Sequence, residues 1–118
     1  MQYLLLIYGN EADWANLSEA EQGQIFGDYM TYTTQIQKSG NYVGGEALEP
    51  IASATTVRVK NGKTLTTDGP FAETREQLGG YFLVEAKDLD EAISLAARIP
   101  GAKHGSIEVR PIMPTPKD

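Results

Sequence analysis

The sequence predicts an α+β domain, and three observations carry that prediction. Two stretches open with a helix-capping signal and continue with apolar residues at helical spacing. Around them lie short β-prone runs punctuated by Gly, Pro and Asn. Two of those runs flank Asn61-Gly62, a dipeptide suited to a two-residue hairpin turn.

Tyr3-Leu4-Leu5-Leu6-Ile7-Tyr8 is a continuous apolar run stopped by Gly9-Asn10, which predicts a central strand covered on both faces. Ser18-Glu19-Ala20-Glu21 is a capping box, in which the Ser accepts a backbone N–H three residues on and the acid reaches back. It starts a long helix, Ser18 to Ser39, with Ile25, Phe26, Tyr29, Met30, Thr33 and Ile36 on one stripe and Gly40-Asn41 as its stop. Gly23 and Gly27 each disfavour that helix by about 1 kcal/mol relative to alanine. Tyr42 to Leu48 reads as a strand with a bulge at Gly44-Gly45.

Residues 54–60 and 63–67 form the hairpin about Asn61-Gly62. A loop spans Asp68 to Gln77, and after Gly79-Gly80 a strand runs from Tyr81 to Ala86. Asp88 with Glu91 predicts a second capping box, its helix continuing through Ala92, Leu95, Ala96 and Ile99 to a stop at Pro100-Gly101. Gly105 to Arg110 is the last strand, with Ile107 and Val109 on one side and Glu108 and Arg110 on the other.

This order is the split βαβ plan of a ferredoxin-like domain with a hairpin inserted at its middle. Two helices cover only one face of such a sheet. Several strands are nevertheless apolar on both sides, so a homodimer with two sheets packed face to face is expected. The domain is expected to span residues 1–113, with the proline-rich residues 114–118 as a flexible tail.

Composition narrows the function classes. A chain of 118 residues with 41% hydrophobic and 22% charged side chains is globular and buries its own core. The absence of cysteine removes disulfides, thiolate metal sites and thiol nucleophiles, and suits a reducing cytoplasm. The apolar run at the start has no basic leader and is too short for a signal peptide or membrane span, so a cytoplasmic location with no membrane contact is expected. A net charge of −6 argues against nucleic acid, which needs a basic face to displace counterions. No His or carboxylate cluster has metal-ligand spacing and no Gly-rich phosphate loop is present, so neither a metal nor another cofactor is expected.

The segment Asp68-Gly69-Pro70-Phe71 is the best candidate for chemistry. Asp before Gly ordinarily accepts the N–H two residues on, but Pro70 has none. The carboxylate must then cap the turn at the Phe71 N–H or point into a pocket; the cap is the commoner use of a short polar side chain. Asp68-Gly69-Pro70-Phe71-Ala72-Glu73-Thr74-Arg75-Glu76-Gln77-Leu78-Gly79-Gly80-Tyr81 resembles the signature of the DGPF group of YCII-related proteins. Gly44-Gly45-Glu46-Ala47-Leu48, Asp88-Leu89-Asp90-Glu91-Ala92 and Ile107-Glu108-Val109-Arg110-Pro111 extend the resemblance along nearly the whole chain. It implies a ferredoxin-like fold paired as a dimeric α/β barrel. It also implies association with extracytoplasmic-function sigma factors. In many YCII-related proteins a histidine and an aspartate share a cleft; here the one histidine, His104, lies much later than in that pattern.

Asp68 is therefore the candidate acid/base, with His104 as a weaker one. Tyr8, Phe71, Tyr81 and Arg110 are candidate ligand-binding residues, although aromatics on strands more often pack a core or interface and an Arg on an enclosed face more often pairs with an acid such as Glu108. Two functions fit. One is a small-molecule-binding or regulatory module, accessory to a sigma factor. The other is a small enzyme in which Asp68 moves a proton on a small polar or aromatic substrate.

Overall fold

In the computed structural model, which describes residues 1–115, the elements are β1 (Gln2–Gly9), α1 (Glu11–Ala15), α2 (Glu19–Lys38), β2 (Tyr42–Ala47), β3 (Thr55–Lys60), β4 (Lys63–Asp68), β5 (Gln77–Glu85), α3 (Leu89–Ala97) and β6 (Ser106–Pro111). Short 3-10 turns occupy Ile51–Ser53 and Pro100–Lys103. One antiparallel sheet has the order β2-β5-β1-β6, and β3 pairs only with β4. This is the expected ferredoxin-like α+β fold with an inserted hairpin. Part of the tail expected at 114–118, residues 116–118, lies outside the described residues.

The caps form where the sequence places them, with one difference. Ser18 accepts the Glu21 N–H and the Glu21 carboxylate accepts the Ser18 N–H, closing the box at the start of α2. These bonds, chiefly the one from the Ser18 backbone, hold the Glu21 pKa below the usual carboxylate value. Asp88 caps α3 through the Glu91 N–H, but Glu91 turns to the Lys87 N–H and leaves the box unclosed. α1 was not expected. Asn10 caps it by accepting from the N–H groups of Ala12 and Asp13.

The buried stripe of α2 is also rotated from the expected one. Tyr32 and Ile36 are buried and Ile25 and Tyr29 are half-buried, whereas Phe26 and Met30 are exposed. A helix stripe advances by three and four residues alternately, so 25-29-32-36 and 26-30-33 are neighbouring rows. The bulkier first row wins the core, and Phe26 packs edge-on against Trp14 with ring centroids 5.4 Å apart.

Strand alternation then sorts the main sheet into two faces. Tyr3 and Leu5 of β1 and Phe82 and Val84 of β5 join Tyr32, Ile36, Ala92, Leu95, Ala96 and Ile99 in one core between sheet and helices. Ile107, Val109 and Tyr42 pack on its margin. The alternate residues face away from the helices, and among the described residues those of β1 and β5 remain half-exposed. β1 is central, as expected; the covering of its second face is not supplied by its own helices.

Both glycine pairs sit inside strands. β2 is irregular between Tyr42 and Gly44, close to the expected bulge. β5 begins at Gln77, before the Gly79-Gly80 pair that the sequence placed ahead of the strand. A Cβ at Gly80 would lie 2.8 Å from the Glu46 carbonyl oxygen, so the glycine lets β2 and β5 approach. Asn61 and Gly62 both adopt positive φ, 51° and 75°, as a type I′ turn requires.

Candidate functional site

The register lays the open face out as three rows. Leu83, Leu4 and Arg110 form the first, Tyr81, Leu6 and Glu108 the second, and Leu78, Tyr8 and Ser106 the third. Glu46 of β2 extends the second row beyond Tyr81. The rows run β5-β1-β6, and their β1 and β5 members are half-exposed. The result is an apolar and aromatic floor with Glu46 at one side and Glu108 and Arg110 at the other.

Of the six residues singled out in the sequence, Tyr8 and Tyr81 come together. They occupy neighbouring rows on adjacent strands of the same face, with the irregularity of the β1–β5 register between them. Arg110 shares their face two rows from Tyr8. Its guanidinium approaches Glu108 at 4.0 Å, with both side chains largely in solvent. Such a pair contributes little and leaves the cation available.

The remaining candidates lie off the floor. Asp68 ends β4 at the root of the hairpin and is exposed. Among the described residues its carboxylate joins no hydrogen bond or ion pair, so neither the expected cap at Phe71 nor a link to His104, Arg110 or a tyrosine forms. The turn is held by its backbone instead: Gly69 N–H donates to the Ala54 carbonyl at 2.7 Å, and the Thr56 hydroxyl donates to the Gly69 carbonyl at 2.8 Å. Phe71 is 81% exposed. His104 ends the turn Pro100–Lys103 with an exposed side chain. Its neighbour Gly105 abuts the Tyr8 carbonyl, so His104 stands at the Tyr8 end of the sheet.

A polar rim at that same end was not apparent in the sequence. Gln77 accepts the Glu11 N–H at 3.0 Å and donates to the Thr74 carbonyl at 2.8 Å. Glu11 accepts the Ile51 N–H at 3.0 Å, and the Ser106 hydroxyl donates to Glu76 at 2.8 Å. These bonds tie the loop after Asp68 to α1 and β6 and, through Glu11, to the segment before the hairpin. Asn10 before Glu11, a cap followed by an acid in the first turn, was the available signal for Glu11. Nothing local marks Gln77, whose partner Glu11 is brought in by the fold.

Two grooves of the described surface lie elsewhere. One of about 300 Å³ is lined by Asp28, Tyr32, Arg98, Lys103 and neighbours, and one of about 400 Å³ runs along Met30, Thr34 and Lys38. Both are open and shallow, on the helix side, and neither touches the open floor. Among the described residues no group of three or more His, Asp or Glu side chains is arranged to hold a metal ion, and no helix is long and apolar enough to cross a membrane.

Comparison with known proteins agrees with this architecture. The model of the YCII-related domain matches residues 1–116. An uncharacterized protein of Rhizobium meliloti (strain 1021) is 35% identical over 114 residues, which cover 95% of this chain and 92% of that protein. With a single family model spanning almost every residue and a full-length relative of the same size, the chain belongs to the YCII-related family.

Proposed function

We propose that this chain is a small-molecule-binding or regulatory module whose ligand lies on the open face of the main sheet, closed over by a second copy. The observation that carries the reading is the floor itself: Leu4, Leu6, Tyr8, Tyr81 and Leu83 stay half-exposed on the helix-free face, with the weakly paired Arg110 at its edge. Apolar floors with a few convergent polar groups are the usual form of a ligand site. The chemistry suits a small aromatic acid, its ring on the tyrosines and its carboxylate on Arg110.

Surface area supports the second copy. A compact monomer of 12.9 kDa exposes roughly 6,300 Å², whereas this chain exposes 8609 Å². The difference exceeds the roughly 800 Å² that each partner contributes to a standard interface. Face-to-face pairing of two such sheets is the dimeric α/β barrel that the DGPF-like loop implies, and it turns an open floor into an interior.

The test is binding of small aromatic carboxylates, read by calorimetry on wild type, Arg110→Ala and Tyr81→Ala. Saturable binding that weakens about tenfold or more in each variant is expected, the size of losing one charge-assisted or stacking contact. Binding that is indifferent to both substitutions overturns the proposed site.

One observation keeps the enzyme reading in view. The Asp68 carboxylate is exposed and used by no cap and no ion pair among the described residues, so it is open to contact by a small molecule as a general acid/base. Asp68→Asn separates the readings: loss of turnover with binding intact supports catalysis, and unchanged behaviour supports binding alone. The sigma-factor association that the resemblance implies is tested by co-purification of the two proteins.

A further inference from the structure

We infer that the β3–β4 hairpin is an arm that packs on the second copy of this chain, fixing the relative placement of the two sheets. The inference rests on the pairing proposed above. The hairpin belongs to no layer of its own chain: as strands, β3 and β4 pair only with each other, and almost every residue in them is exposed. A two-stranded ribbon standing alone in water is marginally stable. The arm also expands the molecule, whose radius of gyration is 16.4 Å against roughly 13.5 Å for a compact domain of this length.

The two faces of the ribbon differ. One carries Val57 and Val59 opposite Thr66 and Thr64, with Val57 59% and Val59 68% exposed. This is a β-branched surface of the kind that packs on another protein layer. The other carries Arg58, Lys60, Lys63 and Leu65.

Charge selects the occupant. The arm holds Arg58, Lys60 and Lys63 against the single acid Asp68, while the rest of the chain keeps seven basic and fifteen acidic residues. The acidic body of a second copy attracts the basic arm, so the arm of one copy meets the body of the other. With the valine face laid on the partner, the three cations stay solvated on the outer side. They contribute attraction at a distance without desolvation. Asp68, at the root of the arm on the valine face opposite Thr55, is then carried to the boundary between the copies.

Sedimentation of wild type, Val57→Asp/Val59→Asp and Arg58→Glu/Lys60→Glu/Lys63→Glu tests the arm, with circular dichroism as the check on folding. Hydrogen exchange of residues 55–68 is followed at protomer concentrations above and below dissociation. The expected result is a folded protein in each case, dimer affinity weakened about tenfold or more by either set, and wild-type arm amides that gain protection as the dimer forms. A wild-type dimer whose affinity ignores both sets and whose arm exchanges freely at every concentration overturns the arm and leaves the pairing intact. A wild type that is monomeric throughout overturns the pairing and the arm with it. Should the valine variant unfold, exchange in the wild-type arm decides the matter alone.

Discussion

Tyr32 is 3% exposed, and its hydroxyl donates a 2.7 Å hydrogen bond to the Leu95 carbonyl, joining α2 to α3. That carbonyl also accepts the Arg98 N–H at 3.3 Å, so Tyr32→Phe does not orphan it. The expected loss is about 1 kcal/mol in urea unfolding. Burial pushes the hydroxyl up to about 12, opposed by Arg98 and assisted by Tyr29. The folded state therefore holds a proton that the unfolded chain releases near pH 10. The stability linked to it is complete below that pH and is lost as pH rises towards 12. Tyr32→Phe should flatten part of that decline; Tyr29, also raised by burial, keeps the remainder. An alkaline decline of the same slope in both proteins refutes the assignment. Gly105 is a second case where one atom decides. A Cβ there would fall on the Tyr8 carbonyl oxygen and crowd Gly9, both backbone, so Gly105→Ala should cost about 1–3 kcal/mol and disturb the Tyr8 end of the floor. Such single-atom requirements are invisible in sequence, where Gly105 reads only as the first residue of the last strand. The same is true of Asp68: Pro70 told that its usual local bond was missing, but only the fold shows that the Phe71 cap is not made either.

At the scale of elements, what was legible followed from chemistry local in the chain. The Ser18 box, the Asp88 cap and the Asn61-Gly62 turn each depend on residues within a few positions of one another, and all three form. Apart from the Asp88 box, left unclosed by the local bond of Glu91 to Lys87, what was misread depended on partners distant in sequence. The choice between the two rows of α2 is made by the sheet beneath it, and α1 gains its place from Gln77 and Ile51 bonds reaching to Glu11. The box at the start of α2 offers a direct check. Ser18→Ala removes an N-cap and should lower stability by about 1 kcal/mol, measured by chemical unfolding at neutral pH. The lowered Glu21 pKa sets the sign of the accompanying pH effect: the stabilisation is present above the usual carboxylate value and is lost as acid protonates Glu21. In Ser18→Ala that acid dependence should shrink, because the side-chain bond that helps lower the pKa is gone. An unchanged acid limb would mean that the Ser18 side chain takes no part in lowering the Glu21 pKa and that the Ser18 backbone bond alone holds it.

For the whole molecule, the open face was legible because alternation can be counted: Leu4, Leu6 and Tyr8 stand between Tyr3, Leu5 and Ile7, and only one set meets the helices. Sequence could not show how far the hairpin stands away from the core, since its own pattern is that of any exposed ribbon. The proposed pairing has a consequence that needs no ligand and no substitution. If folding and association are one step, the stability of each chain includes the free energy of pairing, and dilution removes part of it. For two chains of this length unfolding together, the enthalpy per residue typical of globular proteins makes the midpoint temperature fall by roughly 3 °C for each tenfold dilution. A monomer has no such dependence. Scanning calorimetry over a hundredfold range of protomer concentration therefore separates the two cases by roughly 6 °C, well above the scatter of the method. A midpoint independent of concentration, together with the monomer mass in sedimentation, would leave the floor of leucines and tyrosines facing water and would remove the enclosure on which the proposed ligand site depends.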